Sequence, residues 1–181
     1  MVVAETRERR LWWRHLISIL VFPVTVTLVV PALIVTPAHA RPSLDSPLNI
    51  GLGIVGGLLI AVGLGLWIWT VFLFDRIGKG TLGLGKLMGE PVHLVVEGPY
   101  RHVRNPMISG VLAILVGEAA VAASVSLLLW FAIFLTLQEI AIRLWEEPHL
   151  NQRYGSEYVD YRENVPRWIP RISAWAPANQ R

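Results

Sequence analysis

Three long apolar runs dominate the pattern of hydrophobic and polar positions along the chain. Leu16 to Thr36 holds 21 residues without a charge, and Asn49 to Phe74 holds 26. Met107 to Leu137 holds 31 residues and is interrupted only by Glu118. Because a helix needs about 20 apolar residues to cross a bilayer, the first two runs each predict one membrane-spanning helix.

The third run is too long for one comfortable span and short for two. Extended to Ile142 it holds 36 residues, which is roughly 54 Å of helix at 1.5 Å per residue. One long span would put the two chain ends on opposite sides of the membrane. Two short helices with a tight turn near residues 122–126 would put both ends on the same side.

The distribution of basic residues favours two helices. The first 15 residues hold four Lys/Arg, residues 75–106 hold five and residues 143–181 hold six, whereas residues 37–48 hold only Arg41. Lys and Arg accumulate on the cytoplasmic side of membrane proteins. Four spans place 15 of the 16 basic residues on that side. The sequence therefore predicts both termini in the cytoplasm, and its compactness favours a bacterial inner membrane.

The predicted fold class is an all-α integral membrane protein with about four transmembrane helices, a C-terminal helical hairpin and a cytoplasmic interfacial tail. We expect one membrane domain over residues 1–181, with a basic arm at 1–15, spans at 16–36, 49–74, 107–122 and 125–142, a cytoplasmic loop at 75–106 and a tail at 143–181. One alternative is a signal peptide cleaved after Ala38-His39-Ala40. The length of the apolar stretch and its two prolines, Pro23 and Pro31, oppose cleavage.

Composition narrows the function classes. Hydrophobic residues make up 54% of the chain and charged residues only 16%, whereas soluble domains carry about a quarter charged residues. The absence of cysteine excludes disulfides and thiolate metal sites, and the five histidines show no paired metal-ligand spacing, so no metal is expected. The net charge of +3 is mainly a topology signal, and we expect no nucleic-acid partner. Membrane lipids are the expected surroundings.

Glycines in the second run spell G-x-G-x-x-G over residues 51–56, the spacing of a dinucleotide-binding loop. The motif lies inside an apolar run with no strand before it, which argues against that function. Small residues in membrane helices instead allow close helix packing. We therefore predict that Gly53 and Gly57 contact another helix.

Two polar clusters lie at the predicted cytoplasmic ends of the last helix pair, at residues 93–107 and 139–147. On a helix Glu139, Arg143 and Glu147 share a face. Asn105 stands where it would cap a helix, with Pro106 at the first position. A hairpin brings both clusters to one membrane face. The structural alternative is that these charges have no chemical role and only anchor the helix ends.

These residues resemble two sequence elements of isoprenylcysteine carboxyl methyltransferases and the related phospholipid methyltransferases. Residues 98–110 read G-P-Y-R-H-V-R-N-P-M-I-S-G and are similar to the family element G-x-Y-x-x-x-R-H-P-x-Y-x-G. Residues 143–161 read R-L-W-E-E-P-H-L-N-Q-R-Y-G-S-E-Y-V-D-Y and are similar to R-x-x-E-E-x-x-L-x-x-x-F-G-x-x-Y-x-x-Y. The tail V-P-R-W-I-P at 165–170 is similar as well, so the resemblance covers roughly residues 90–171.

Three positions depart from the family pattern. Asn105 stands in place of the usual His, Ile108 in place of an aromatic residue, and Tyr154 in place of Phe. The change to Asn matters most, because an amide forms hydrogen bonds but cannot act as an acid or base. It is compatible with cofactor binding and opposes proton transfer at that position.

The resemblance implies an enzyme that binds S-adenosylmethionine between the last helices and the tail. It implies methyl transfer to a lipophilic carboxylate or amine acceptor reached from the bilayer. The implied cofactor-binding residues are His93, Gly98, Tyr100, Asn105, Pro106, Gly110 and Glu147. The implied catalytic residues are Arg104, Glu146 and Glu147. Arg104 would hold a substrate carboxylate or the site's own acids, and the glutamates would bind the cofactor's cationic side.

Aromatic residues of the tail are expected at the membrane interface, where Trp and Tyr settle. We expect this of Tyr154, Tyr158 and Tyr161, and of the tryptophans Trp12, Trp13, Trp145 and Trp168.

Two other functions remain open from the sequence. The tail also resembles that of NADPH-dependent sterol reductases, although Gly98-Pro99-Tyr100 favours the methyltransferases. A non-catalytic membrane module with a vestigial pocket is the other alternative, and Asn105 is its best support. Binding of labelled S-adenosylmethionine compared with NADPH separates the three.

Overall fold

The computed structural model describes residues 21–35, 46–73, 76 and 94–177. Every regular element in these residues is helical, in agreement with the predicted fold class. The helices are α1 (Val21–Ile34), α2 (Pro47–Leu73), α3 (Pro106–Val121), α4 (Val125–Tyr154) and α5 (Ser156–Asn164), with a 3₁₀ turn at Gly98–Arg101. The basic arm at 1–15 and His93 lie outside the described residues.

Two of these helices, α2 and α4, are long and apolar enough to cross a membrane, while α1 and α3 are shorter apolar helices. The chain reverses direction at residues 122–124, where the sequence predicted a tight turn. Ser124 begins α4 because its hydroxyl oxygen accepts a hydrogen bond from the Leu127 N–H at 3.4 Å. The helix continues to Tyr154, well past the predicted span end at residue 142.

A hydrogen bond from α4 reaches α1 close to a proline of α1. The Val30 N–H donates to the Thr25 carbonyl, five residues back, in a short π-helical stretch ahead of Pro31. Pro31 has no N–H to give to the Val26 carbonyl. The indole Nε1–H of Trp130 in α4 fills that role at 3.1 Å.

Helices α2 and α3 approach each other through two pairs of glycines. A Cβ on Gly56 would lie 2.6 Å from the Gly117 carbonyl oxygen, and one on Gly63 would lie 2.5 Å from that of Gly110. The reverse distances, from Gly117 and Gly110, are 2.6 and 2.8 Å. No side chain fits between backbones at this separation, so glycine is required at these four positions.

The prediction for Gly53 and Gly57 was therefore wrong. A Cβ on either would meet nothing within 4 Å. The third glycine of the same motif, Gly56, makes the contact instead.

Residues 94–104 and 156–177 pack together as a second small core, which we call the tail cap. Its buried side chains are Val96, Tyr158, Tyr161, Val165 and Trp175. Backbone hydrogen bonds join its two segments: the N–H of Arg104 donates to the Pro166 carbonyl, that of Arg171 to the His102 carbonyl, and that of Trp175 to the Arg101 carbonyl. The tail therefore folds back beneath the 3₁₀ turn that leads into α3.

Two tyrosines that were expected to pack the tail at the membrane interface lie inside the tail cap. Tyr158 and Tyr161 are each only 3% exposed. The Tyr161 hydroxyl donates to the Tyr100 carbonyl at 2.8 Å, which gives its polar end a partner away from water. Their role is to hold the two segments of the cap together.

Candidate active site

The two polar clusters predicted from the sequence meet in one ion pair. Arg104 precedes α3 and Glu147 lies in α4, and the Arg104 Nη1 to Glu147 Oε1 distance is 2.7 Å. Their side chains are 12% and 13% exposed. A buried charge is costly unless it is paired, so the contact stabilises both of these residues in the site. Of the two roles expected for Arg104, the structure shows contact with the site's own acids.

A second arginine, which the sequence analysis did not assign to the site, joins the cluster from the tail. Arg167 Nη2 lies 2.8 Å from Glu147 Oε1, and Arg167 Nη1 lies 2.5 Å from Glu139 Oε1. The neighbouring Trp168 donates its indole N–H to Glu139 Oε2 at 2.9 Å. Trp168, which was expected at the membrane interface, thus makes a specific contact with α4. The sequence feature that could have indicated this contact was a charged residue between two prolines in V-P-R-W-I-P.

Glu139 and Glu147 share Arg167 but differ in their second arginine. Pro148 follows a π-helical stretch at Ile142–Glu146, in which the Glu147 N–H donates to the Ile142 carbonyl five residues back. This wider turn rotates the residues after it relative to those before it. Arg143 pairs with Glu139 as its helical spacing predicted, while Glu147 faces Arg104 and Arg167.

The hydrogen bonds to Glu147 are unevenly distributed between its two oxygens. Oε1 accepts from Arg104 Nη1 at 2.7 Å and from Arg167 Nη2 and Nε at 2.8 and 3.2 Å. Among the described residues, none donates to Oε2 or to the neighbouring carboxylate of Glu146, which is exposed. Both groups are available to a ligand, and their charge favours a cationic one.

Asn105 occupies the N-cap position of α3 and Pro106 the first helical position, as expected. The Asn105 side chain, however, makes no cap hydrogen bond; only its carbonyl accepts from the Ser109 N–H. Within the described part of the chain its half-buried amide is therefore free to donate to or accept from a ligand.

The 3₁₀ turn places Tyr100 beneath this cluster. Tyr100 is buried, and burial raises the pKa of its phenol well above the ordinary value, with further increases from Tyr161 and Glu146. It therefore stays neutral and cannot serve as a base. Gly98 opens the turn at a φ of +53°, a conformation that glycine adopts without strain.

Both glycines that were expected to approach a cofactor contact α2 in the structure. A Cβ on Gly98 would lie 3.3 Å from the Trp69 ring, and one on Gly110 would lie 2.8 Å from the Gly63 carbonyl oxygen. The structure thus joins Arg104 to Glu147, with Asn105 and Glu146 next to them in the sequence.

Comparisons with known proteins identify the family of the chain. A family model described as phospholipid methyltransferase matches residues 52–157. The chain is also similar to protein-S-isoprenylcysteine O-methyltransferase B of Arabidopsis thaliana, with 33% identity over 98 residues. That match covers 53% of this chain and 49% of the relative, so the chain spans about half of the relative's length. No solved structure matches it.

Proposed function

We propose that this chain, which belongs to the phospholipid methyltransferase family, is a membrane enzyme that transfers a methyl group from S-adenosylmethionine to a lipophilic acceptor. The observation that carries this proposal is the Arg104–Glu147 ion pair. It joins the two sequence elements that resemble the family's cofactor-binding elements, and it leaves acidic groups beside it open.

The residues present fit the cofactor by their chemistry. S-adenosylmethionine carries an ammonium, a sulfonium and a carboxylate. The unpaired oxygens of Glu146 and Glu147 would bind the cationic groups, and the Asn105 amide would bind through either its N–H₂ or its oxygen. His93, which the family resemblance also implies, lies outside the described residues.

The cofactor supplies an activated methyl group, which leaves sulfur by in-line displacement. The chain contributes alignment and exclusion of water. Arg104 holds Glu147 in place, and the neutral Tyr100 closes the site from below. Asn105 cannot move a proton. A carboxylate acceptor needs no base, whereas an amine acceptor would pass its proton to Glu146.

We place this reaction at the cytoplasmic face of a bacterial inner membrane. The long apolar helices α2 and α4 support membrane insertion. The α3–α4 hairpin returns both of its ends to one side, and the basic residues favour the cytoplasm for that side. The acceptor would then reach the site from the inner leaflet.

Binding of labelled S-adenosylmethionine to the purified protein in nanodiscs tests the proposal. We expect saturable binding that NADPH does not compete, and an affinity about tenfold or more lower in Glu147→Gln, since charge-assisted bonds are the stronger ones. Glu157→Gln, an exposed acid on α5, is the matched control. Absence of binding by the wild-type protein would refute the proposal. Label transfer into a total lipid extract then identifies the acceptor.

A further inference from the structure

We propose that Arg167 is a positioning residue for methyl transfer, which fixes the Glu147 carboxylate so that one oxygen stays open to the ligand. The inference rests on the function proposed above. Arg167 lies beyond residues 52–157, which the family model matches, and within the tail V-P-R-W-I-P that also resembles the family. It reaches the site only because the tail folds back onto α4.

The guanidinium of Arg167 joins two carboxylates of α4 with all three of its nitrogens. Nε and Nη2 donate to Glu147 Oε1 at 3.2 and 2.8 Å, and Nη1 donates to Glu139 Oε1 at 2.5 Å. A lysine ammonium is a point charge without this planar fork. It would hold one of the two carboxylates at a time.

The backbone around Arg167 is fixed on both sides. The Pro166 carbonyl accepts from the Arg104 N–H at 2.9 Å, and the Trp168 indole donates to Glu139 Oε2 at 2.9 Å. Burial acts to lower the pKa of Arg167, but hydrogen bonds and charge from Glu147 and Glu139 outweigh it and raise that pKa. The residue therefore remains a cation at every working pH.

Arg167 is the second guanidinium that donates to the same oxygen of Glu147, so its contact affects the carboxylate as well as the position of the tail. The terminal torsion of a glutamate is broad, so a single ion pair leaves the plane of the carboxylate able to rotate. Arg104 and Arg167 both donate to Oε1 from different segments. Rotating the carboxylate out of this plane would break both sets of bonds, so one oxygen stays turned towards the arginines and the other stays open to the ligand.

Arg143 provides the matched comparison within the same cluster. It pairs with Glu139 but not with Glu147, and its side chain is 64% exposed, against 16% for Arg167. An exposed i,i+4 pair contributes little to stability. Replacing it removes an arginine from the cluster while leaving Glu147 untouched.

The test uses the full chain in nanodiscs and measures S-adenosylmethionine affinity, kcat and KM for Arg167→Lys, Arg167→Gln and Arg143→Gln. We expect the Kd and KM for the cofactor to rise about 10- to 100-fold in both Arg167 variants, since small misplacements of aligned groups have effects of this size. Arg143→Gln should stay within about twofold of wild type. In a Glu147→Gln background, Arg167→Lys should cause no further loss, because residues that act through one another are not additive.

Each alternative outcome has a distinct signature. A purely structural role would lower the fraction of protein that binds while leaving the Kd of that fraction unchanged, which overturns the inference. Additive effects in the double variant would overturn it as well. If Arg167→Gln fails to fold, Arg167→Lys, which keeps the charge and the aliphatic stem, decides the question. Wild-type protein that does not bind the cofactor would refute the proposed function together with the inference, whereas binding by wild type and equal binding by the variants refutes the inference alone.

Discussion

Arg104 combines a structural and a chemical role in one residue. Its guanidinium neutralises the largely buried Glu147 at 2.7 Å, and its backbone N–H holds the tail through Pro166. The backbone contact survives any substitution except proline, so side-chain variants report on the charge alone.

We predict that Arg104→Gln lowers cofactor affinity by about tenfold or more while the protein still folds, because Arg167 continues to neutralise Glu147. The measurement is S-adenosylmethionine binding together with the thermal midpoint in nanodiscs. Arg162→Gln, which removes an exposed arginine of α5, serves as the control. Unchanged affinity in Arg104→Gln would contradict the site assignment.

The sequence could identify Arg104 and Glu147 because each lies inside a short element with recognisable spacing. It could not reveal Arg167 as their partner, since this contact spans 20 residues from Glu147 and depends on the path of the tail. It also could not show how α4 turns Glu147 towards both arginines, because helical spacing alone does not include the π-helical stretch ahead of Pro148.

Among the helices, the contact between α2 and α3 shows how adjacent glycines can differ. Gly56 faces Gly117 at a distance that excludes a methyl group, while Gly57 faces open space. The i,i+4 spacing of Gly53 and Gly57 suggested the wrong pair. The informative spacing is seven residues, which relates Gly56 to Gly63 and recurs between Gly110 and Gly117.

We predict that Gly56→Ala lowers the thermal midpoint by several degrees, because its Cβ would lie 2.6 Å from a backbone oxygen. Gly57→Ala is the matched control and should leave the midpoint unchanged or raise it, since alanine is the better helix former by about 0.5–1 kcal/mol. Thermal unfolding in one detergent measures both. Equal effects of the two variants would show that the glycine contact is absent.

The tail cap should open at high pH. Burial raises the pKa of Tyr158 and Tyr161 above 10.0. The charge of Glu147 raises the pKa of Tyr158 further, whereas the charge of Arg104 lowers the pKa of both tyrosines. The folded state therefore keeps its phenolic protons when the unfolded state loses them. Stability from these groups is complete below pH 10 and falls as the pH rises above it.

Hydrogen exchange of residues 156–175 between pH 8 and 11 measures this effect at matched intrinsic exchange rates. We expect protection to fall above pH 10 in wild type. Tyr161→Phe should show lower protection at pH 8, because it removes the bond to the Tyr100 carbonyl, and a shallower dependence above pH 10. Protection that is independent of pH up to 11 would argue against burial of these phenols.

At the scale of the whole molecule, the proposed four-span topology predicts the location of both ends. A fluorescent protein that folds only in the cytoplasm should fluoresce when fused to either terminus. An alkaline phosphatase reporter should be active when inserted within residues 37–48 and inactive when fused to either terminus. Phosphatase activity of a C-terminal fusion would overturn the topology, because it requires an odd number of spans.

Helix α3 has a further consequence for the membrane around the protein. Its 16 residues extend about 24 Å at 1.5 Å per residue, whereas the hydrocarbon core is about 30 Å thick. In the proposed topology the turn at residues 122–124 would lie inside the far leaflet, so the surrounding lipids must thin to meet it. This local thinning of the bilayer brings the carboxyl group of Glu118, near the end of α3, level with the far headgroups. Hydrophobic mismatch should then concentrate this enzyme in thin, short-chain regions of its membrane.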